Sequence, residues 1–177
     1  MEALIVVDVQ NDFCPGGALA VPHGDEVVET VNQLARRIPF VVATRDWHPA
    51  DHRSFAEYGG PWPVHCVRDT DGAQLHPGLD TDRFDRVIEK GQSNDTDGYS
   101  GFERTGLERL LRDHDVERVR VAGLALDYCV KATALDARRA GFDVVVHRGA
   151  TRAVEVRPGD GERAVEELRR AGVQIEE

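Results

Sequence analysis

Lysine and cysteine are scarce in this sequence of 177 residues, and long apolar runs are missing. Of the 22 basic residues, only Lys90 and Lys131 are lysines. Three cysteines are too few and too scattered for a disulfide framework, so we expect a reduced, cytoplasmic chain. No apolar stretch approaches the roughly 20 residues of a membrane span, and the first residues lack the basic lead and cleavage site of a signal peptide. These absences argue against an integral membrane protein and against a secreted disulfide scaffold.

Positive charge is also in deficit, because 22 basic residues face 32 acidic ones and the formal net charge is −10. Such a balance disfavours nucleic acid and anionic membrane surfaces as partners. The chain otherwise uses arginine for its positive charges. A position that nevertheless carries lysine is therefore more readily interpreted as one that requires the lysine ammonium group. A homo-oligomer stays open, because no exposed apolar stripe stands out.

Short aliphatic runs alternate with amphipathic stretches along the chain. Continuous apolar runs are typical of strands buried on both faces of a parallel sheet. We therefore predict an α/β fold, a doubly wound, mostly parallel sheet with helices on both faces, as one domain over residues 1–177. The predicted strands are 3–9, 40–44, 87–89, 118–125, 142–147 and 173–175, and the predicted helices are 25–37, 103–114, 127–140 and 161–171. The long polar segment 47–85 indicates a functional loop.

Reactive side chains follow several of the predicted strands at the point where each strand ends. Asp8 ends the first strand, Asp46 and His48 follow the second, and Lys90 follows the third. Cys129 lies in the first turn of the helix after the fourth strand. Ligands of open α/β sheets bind beyond the carboxyl ends of the strands, so we expect these groups to converge at one edge.

Cys129 has the position of a nucleophile. A helix start offers free N–H groups that lower the pKa of a thiol and can hold an oxyanion, although a buried structural cysteine is the alternative interpretation. Asp8 could take and return the thiol proton, and Lys90 could stabilise both anions. A plain salt bridge is the alternative for that pair. Cys14 and Cys66 lie in loops without a helix start, and we interpret them as bystanders.

The loop after the second strand has the composition of a metal site. Its candidate ligands are one carboxylate and three imidazoles: Asp46, His48, His52 and His65. This mixed set suits one divalent ion, Zn, Fe or Mn, and the lack of a thiolate pair favours an open site over a closed structural one. A group of surface histidines is the alternative.

Together these motifs resemble the isochorismatase-like cysteine hydrolases, and within them the nicotinamidases. The resemblance covers most of the chain in order, through VVDVQNDFCPGGAL (6–19), ATRDWHPADHRSF (43–55), PWPVHCVRDTDGAQLHP (61–77), EKG (89–91), DGYSGF (97–102) and AGLALDYCVKATALDA (122–137). One departure is Leu126, where many relatives carry Thr.

The resemblance implies a role for each of the matching positions. The implied catalytic triad is Asp8, Lys90 and Cys129, and the implied metal ligands are Asp46, His48, His52 and His65. A cis bond between Leu124 and Ala125 is expected to help aim the amides of Ala125 and Cys129 at the oxyanion. The implied substrate-binding residues are Phe13, Trp62, Leu124 and Tyr99.

The activity implied by the resemblance is hydrolysis of nicotinamide to nicotinate and ammonia through a thioester on Cys129, in NAD salvage. The metal would bind the pyridine nitrogen, and Asp8 would move the protons. Two alternatives remain at this stage: a related cysteine hydrolase acting on another amide or ureido compound, and a non-catalytic binding module on a decayed hydrolase fold. Retention of Asp8, Lys90 and Cys129 disfavours the decayed fold.

Overall fold

Six parallel strands form one sheet in the computed structural model, which describes residues 1–177. The strands are β1 (Glu2–Val7), β2 (Phe40–Asp46), β3 (Arg86–Lys90), β4 (Arg118–Leu124), β5 (Asp143–Arg152) and β6 (Gln174–Glu176). Their order across the sheet is β3-β2-β1-β4-β5-β6, and every neighbouring pair is parallel. The order reverses direction between β1 and β4, and such a switch point opens a crevice at the carboxyl edge of the sheet.

Helices cover both faces of the sheet. The helices are α1 (Val27–Arg37), α2 (Leu107–Asp113), α3 (Lys131–Arg139) and α4 (Asp160–Arg170). Alternate residues of β1 point to opposite faces, so Leu4 and Val6 pack with α1 while Ile5 and Val7 pack with the other three helices. The doubly wound α/β prediction is therefore confirmed. No helix combines the length and the apolar character needed to cross a bilayer.

Several predicted boundaries differ from the observed ones. The predicted helix 127–140 begins as a π-helical turn, Leu126–Val130, before α3 starts at Lys131. The predicted helix 103–114 is shortened to α2, Leu107–Asp113, and the predicted strand 142–147 extends as β5 to Arg152. The loop 47–85 contains short 3₁₀ turns that propensity alone does not reveal, at Ala56–Tyr58, Asp71–Ala73 and Thr81–Arg83.

Gly123, near the end of β4, permits a close approach to β1. Its φ is +113°, and a Cβ atom there would lie 2.1 Å from the carbonyl oxygen of Val7. We expect Gly123→Ala to lower the free energy of unfolding by on the order of 3 kcal/mol, because a backbone clash adds to the left-handed conformation. Gly141→Ala is the matched control, since Gly141 has φ +92° with nothing within 4 Å. Gly141→Ala should lower the free energy of unfolding, measured by urea denaturation, by about 1 kcal/mol. Equal losses of unfolding free energy in the two variants would contradict the clash at position 123.

Candidate active site

The carboxyl ends of four adjacent strands bring the predicted reactive groups together. Asp8 directly follows β1, Asp46 ends β2 opposite Lys90 at the end of β3, and the turn after β4 carries Cys129. All four of these side chains are buried, with at most 6% of each residue exposed. Convergence at one edge, expected from the parallel pattern, is observed.

Lys90 lies at the centre of this cluster. Its Nζ is 2.8 Å from Asp8 Oδ2, 2.6 Å from Asp46 Oδ1 and 3.6 Å from Cys129 Sγ. It also donates to the carbonyl oxygen of Gly98 at 2.7 Å. Asp8 Oδ1 accepts a hydrogen bond from the Thr44 hydroxyl at 2.7 Å, whereas Oδ2 has no hydrogen-bond partner apart from the Lys90 ion pair. Asp8 Oδ2 is therefore the oxygen with capacity for a further proton.

Burial and charge set the protonation of the three predicted catalytic groups. Burial raises the pKa of the Cys129 thiol well above its usual value, against the opposing effect of the Lys90 ammonium. Burial also raises the pKa of Asp8, to about 6, although Lys90 opposes it. Burial alone would lower the pKa of Lys90, but Asp46 and Asp8 raise it. The lowered thiol pKa expected from a helix start is thus absent, and a neutral thiol faces a carboxylate that can accept its proton.

A second cluster, made of Asp46, His48 and His65, has the geometry of a metal site. Their ligand atoms all lie within 4.8 Å of one another, and Asp46 Oδ2 is 3.3 Å from His48 Nε2. Each of the two imidazoles anchors its Nδ1 on a carbonyl oxygen, His48 on Gly91 at 2.7 Å and His65 on Pro63 at 2.8 Å. Such anchors fix the tautomer and leave the Nε2 lone pair of each ring available to a metal ion.

The backbone of the loop 47–85 brings these two histidines together. His48 donates its N–H to the carbonyl of Cys66 at 2.9 Å, and Arg68 donates to the carbonyl of His48 at 2.8 Å. This pairing places the segment that carries His65 alongside the end of β2. The His65 and His48 rings consequently meet edge to face, with centroids 5.0 Å apart.

His52 is the predicted ligand that lies outside this cluster. Its ring stacks on His48 with centroids 4.0 Å apart, but both of its nitrogen atoms are already hydrogen-bonded. Nδ1 lies 2.7 Å from the Ser54 hydroxyl and Nε2 lies 3.1 Å from the Ser93 carbonyl. Burial, together with His48, lowers the pKa of His52 to about 4, so the ring is neutral. The structure therefore brings the ligand atoms of three of the four predicted ligands within 4.8 Å of one another and places His52 in a stack on His48.

A small cavity opens onto both clusters. Its walls include Cys129 and Ala125 together with Asp46 and His65. All four predicted substrate-binding residues line it: Phe13, Trp62, Leu124 and Tyr99. The peptide bond between Leu124 and Ala125 is cis, as the resemblance implied.

Four cavity residues were not among the predicted site residues: Leu19, Val21, Tyr128 and Val154. Tyr128 completes an aromatic group, because its ring meets Trp62 edge to face at 5.0 Å and lies 5.7 Å from Tyr99. The Trp62 indole N–H donates to the Tyr99 hydroxyl at 3.0 Å. The position of Tyr128 beside Cys129 in the sequence was a signal for its place in the wall. Val154 lies 25 positions beyond Cys129 in the chain and offered no such signal.

Asp127 fixes the wall that carries Val154. Its buried carboxylate accepts the N–H of Val154 at 2.9 Å through Oδ1 and the N–H of Glu155 at 3.0 Å through Oδ2. Glu155 has φ +59° and in turn accepts the N–H groups of Gly159 and Gly161, at the start of α4. Asp127 thus ties the turn that carries Cys129 to the segment that carries Val154, another residue of the cavity wall.

We expect Asp127→Asn to weaken this tie. One of the two amide N–H groups would face the new NH₂ group, which should cost about 1–3 kcal/mol of unfolding free energy. Because the Val154 wall would move, KM should rise more than kcat falls. Urea denaturation and steady-state kinetics measure the two effects. Asp136→Asn is the control, since Asp136 pairs at 2.7 Å with Arg139, which is 74% exposed, and such pairs contribute little. Equal effects of the two substitutions would contradict the role of Asp127.

Comparison with known proteins places the chain in a family of hydrolases. The isochorismatase domain matches residues 2–176, so the chain belongs to the isochorismatase family. Among its relatives, the nicotinamidase of Escherichia coli is 42% identical over 98% of this chain and 93% of its own length.

Two solved structures share the fold over nearly the whole chain. A pyrazinamidase of Pyrococcus horikoshii, solved in complex with zinc, superposes with a TM-score of 0.91 at 49% identity, covering 98% of this chain and 97% of its own. A protein of L. infantum, solved in complex with nicotinate, superposes with a TM-score of 0.94 at 42% identity, covering 99% and 91%.

Proposed function

We propose that this protein is a metal-dependent amidohydrolase that converts nicotinamide to nicotinate and ammonia. The observation that carries the proposal is one cavity lined both by Cys129 and by Asp46 and His65 of the metal cluster. A nucleophile and a Lewis acid that share one pocket can act on the two ends of a small pyridine amide. The nicotinamidase relative and the nicotinate-bound structure of a related protein support this substrate.

The proposed metal ligands are Asp46, His48 and His65. One carboxylate and two imidazoles with anchored Nδ1 atoms suit Zn²⁺, and three protein ligands are typical of catalytic zinc sites. The bound ion would supply a Lewis acid for the pyridine nitrogen and so orient the ring. Zinc is our preferred metal, because the pyrazinamidase relative was solved with it.

Cys129 begins the proposed reaction as a neutral thiol. As Sγ attacks the carboxamide carbon, its proton passes to Asp8, whose Oδ2 has the free capacity. Lys90, within 3.6 Å of Sγ, stabilises the thiolate that forms. The carbonyl oxygen becomes an oxyanion, and we assign its stabilisation to the backbone N–H groups of Ala125 and Cys129.

Asp8 returns its proton in the second half of the reaction. It protonates the leaving nitrogen, the C–N bond breaks, and ammonia departs from a thioester on Cys129. The Asp8 carboxylate then takes a proton from the water molecule that attacks the thioester carbon, and it passes this proton to the Cys129 sulfur as the C–S bond breaks. The acid that is released ionises to nicotinate, and both the thiol and the Asp8 carboxylate are restored. A carboxyl group whose pKa is raised to about 6 by burial suits both directions of this transfer near neutral pH.

The cavity walls fit a flat, mostly apolar ring. Phe13, Trp62 and Tyr99 supply aromatic surfaces, and Leu124 adds an aliphatic one. Aromatic walls with few polar groups are typical of small-molecule sites, where the polar groups set the orientation. We place the reaction in NAD salvage. We also place the protein in the cytoplasm, since all three of its cysteines are free.

Ammonia release from nicotinamide by the purified, zinc-loaded protein tests the proposal. We expect turnover that disappears after treatment with a zinc chelator and returns when zinc is added back. A ureido compound and a carbamoyl amide, tested in parallel, should be poor substrates because they lack a ring nitrogen for the metal. Absence of nicotinamide hydrolysis by reduced, zinc-loaded protein would overturn the proposal, as would full activity in the chelated sample.

A further inference from the structure

We propose that Gln10 is a positioning residue that holds Asp46 in place for the metal, an inference that rests on the proposed metal site. The Gln10 side chain is completely buried and bonds to both backbone groups of Asp46. Its Nε2 donates to the Asp46 carbonyl at 2.9 Å, and its Oε1 accepts the Asp46 N–H at 2.8 Å. No side chain other than a carboxamide offers a fixed donor and acceptor in this arrangement.

The Gln10 side chain is needed because β1 ends before it reaches the level of Asp46 on β2. The parallel register pairs Val7 with Thr44, so Asp46 extends beyond the last residue of β1. The backbone of Asp8 has φ +49°, which turns the chain out of the strand direction. The backbone of β1 therefore leaves Asp46 unpaired on this side, and the Gln10 carboxamide takes the place of the missing peptide group.

The same carboxamide connects Asp46 to the long metal-site loop. The second N–H of Gln10 Nε2 donates to the carbonyl of Ala73 at 2.8 Å. On its other side, Asp46 pairs with Lys90 of β3, and Trp47 donates its N–H to the Lys90 carbonyl at 2.9 Å. Gln10 thus supplies one of the two lateral supports of the strand end that bears the carboxylate ligand.

A buried glutamine that merely satisfies the core is the competing explanation, and the chain contains a matched example. Asn32 on α1 is also buried, and its carboxamide also joins two backbone groups, donating to the Gly78 carbonyl at 2.9 Å and accepting the Asp80 N–H at 2.9 Å. Asn32 contacts no residue of the metal cluster through these bonds. Loss of either carboxamide should lower stability, but only loss of Gln10 should weaken metal binding.

Zinc affinity of the full-length chain, measured by chelator competition, separates the two explanations. We expect Gln10→Met, which is close in shape but cannot form these hydrogen bonds, to bind Zn²⁺ about 10- to 100-fold more weakly than the unchanged protein. Asn32→Leu should keep the affinity within about threefold while unfolding at a similarly lowered urea concentration. The visible absorption spectrum of the Co²⁺-loaded protein should change in Gln10→Met and not in Asn32→Leu.

Gln10→Asn provides a second variant in case Gln10→Met does not fold. It keeps a carboxamide, but the side chain is one methylene too short to reach both backbone groups of Asp46, so its zinc affinity should also fall. Equal zinc affinities and equal Co²⁺ spectra in the Gln10 variants and Asn32→Leu would overturn the inference. Failure of the unchanged protein to bind zinc would instead overturn the proposed metal site, and the inference with it.

Discussion

Cys129→Ala should lower the rate of nicotinamide hydrolysis by at least about 10⁴-fold while the protein remains folded. The thiol is the nucleophile in the proposed reaction, and no other group in the cavity can form the thioester. The side chain is small, so its truncation should cost about 1–2 kcal/mol of unfolding free energy and leave zinc affinity unchanged. Ammonia release, urea denaturation and chelator competition measure the three quantities.

Cys14→Ala is the matched control for this prediction. Cys14 is also a buried, free cysteine, but it does not line the cavity. Burial, together with Asp25, raises the pKa of its thiol to about 11. Cys14 differs from Cys129 in lying outside the cavity that holds the substrate in the proposed reaction. Cys14→Ala should lose a similar amount of stability and retain activity within a few-fold. Substantial turnover by Cys129→Ala would show that water attacks the amide directly and would remove the thioester from the mechanism.

The parallel sheet made the central groups predictable from sequence. Asp8, Asp46 and Lys90 each follow an aliphatic run, and the carboxyl ends of parallel strands share one edge whatever the intervening loops do. The same rule predicted the position of Cys129. It did not predict the raised pKa of the Cys129 thiol, because the turn that carries the residue is buried and the effect of lost hydration on the pKa exceeds that of the nearby Lys90 ammonium. Burial at a single atom depends on the packing of several distant segments.

The residues that support the site were not predictable in the same way. Gln10 acts on Asp46, 36 positions later in the chain, and Asp127 acts on Val154, 27 positions later. Each depends on a side chain that meets the backbone of a distant loop, and hydrophobic periodicity carries no information about such contacts. His52 shows the converse, because its spacing suits a ligand but the turn directs its nitrogens to Ser54 and Ser93. Local spacing in the sequence identifies candidate metal ligands. The path of the loop backbone determines which of these side chains come close together.

Lys90→Met should remove both activity and much of the stability. Lys90 is fully buried between Asp8 and Asp46, and its ammonium is the cation that lies within 3 Å of both carboxylates. Without it, two carboxylates would remain buried close together with no cation between them. Removal of one partner from a buried ion pair typically costs about 3–5 kcal/mol, so we expect a loss of this size in urea denaturation of the metal-free protein. Activity should fall by at least about 10³-fold, because the thiolate also loses its stabilising charge.

Lys131→Met is the natural control, because Lys131 is the second of the two lysines in the chain. It also forms an ion pair, with Glu167 at 2.9 Å, but both side chains are partly exposed, at 29% and 54%. Water screens such a pair, and its removal should cost less than about 1 kcal/mol and leave activity unchanged. Added zinc should stabilise every variant that binds it. It should narrow the stability gap between Lys90→Met and the unchanged protein, since the ion would offset the charge of Asp46, and it should leave the small gap of Lys131→Met as it is. Similar stability losses in the two variants would mean that the Lys90 cluster is held by packing and not by charge.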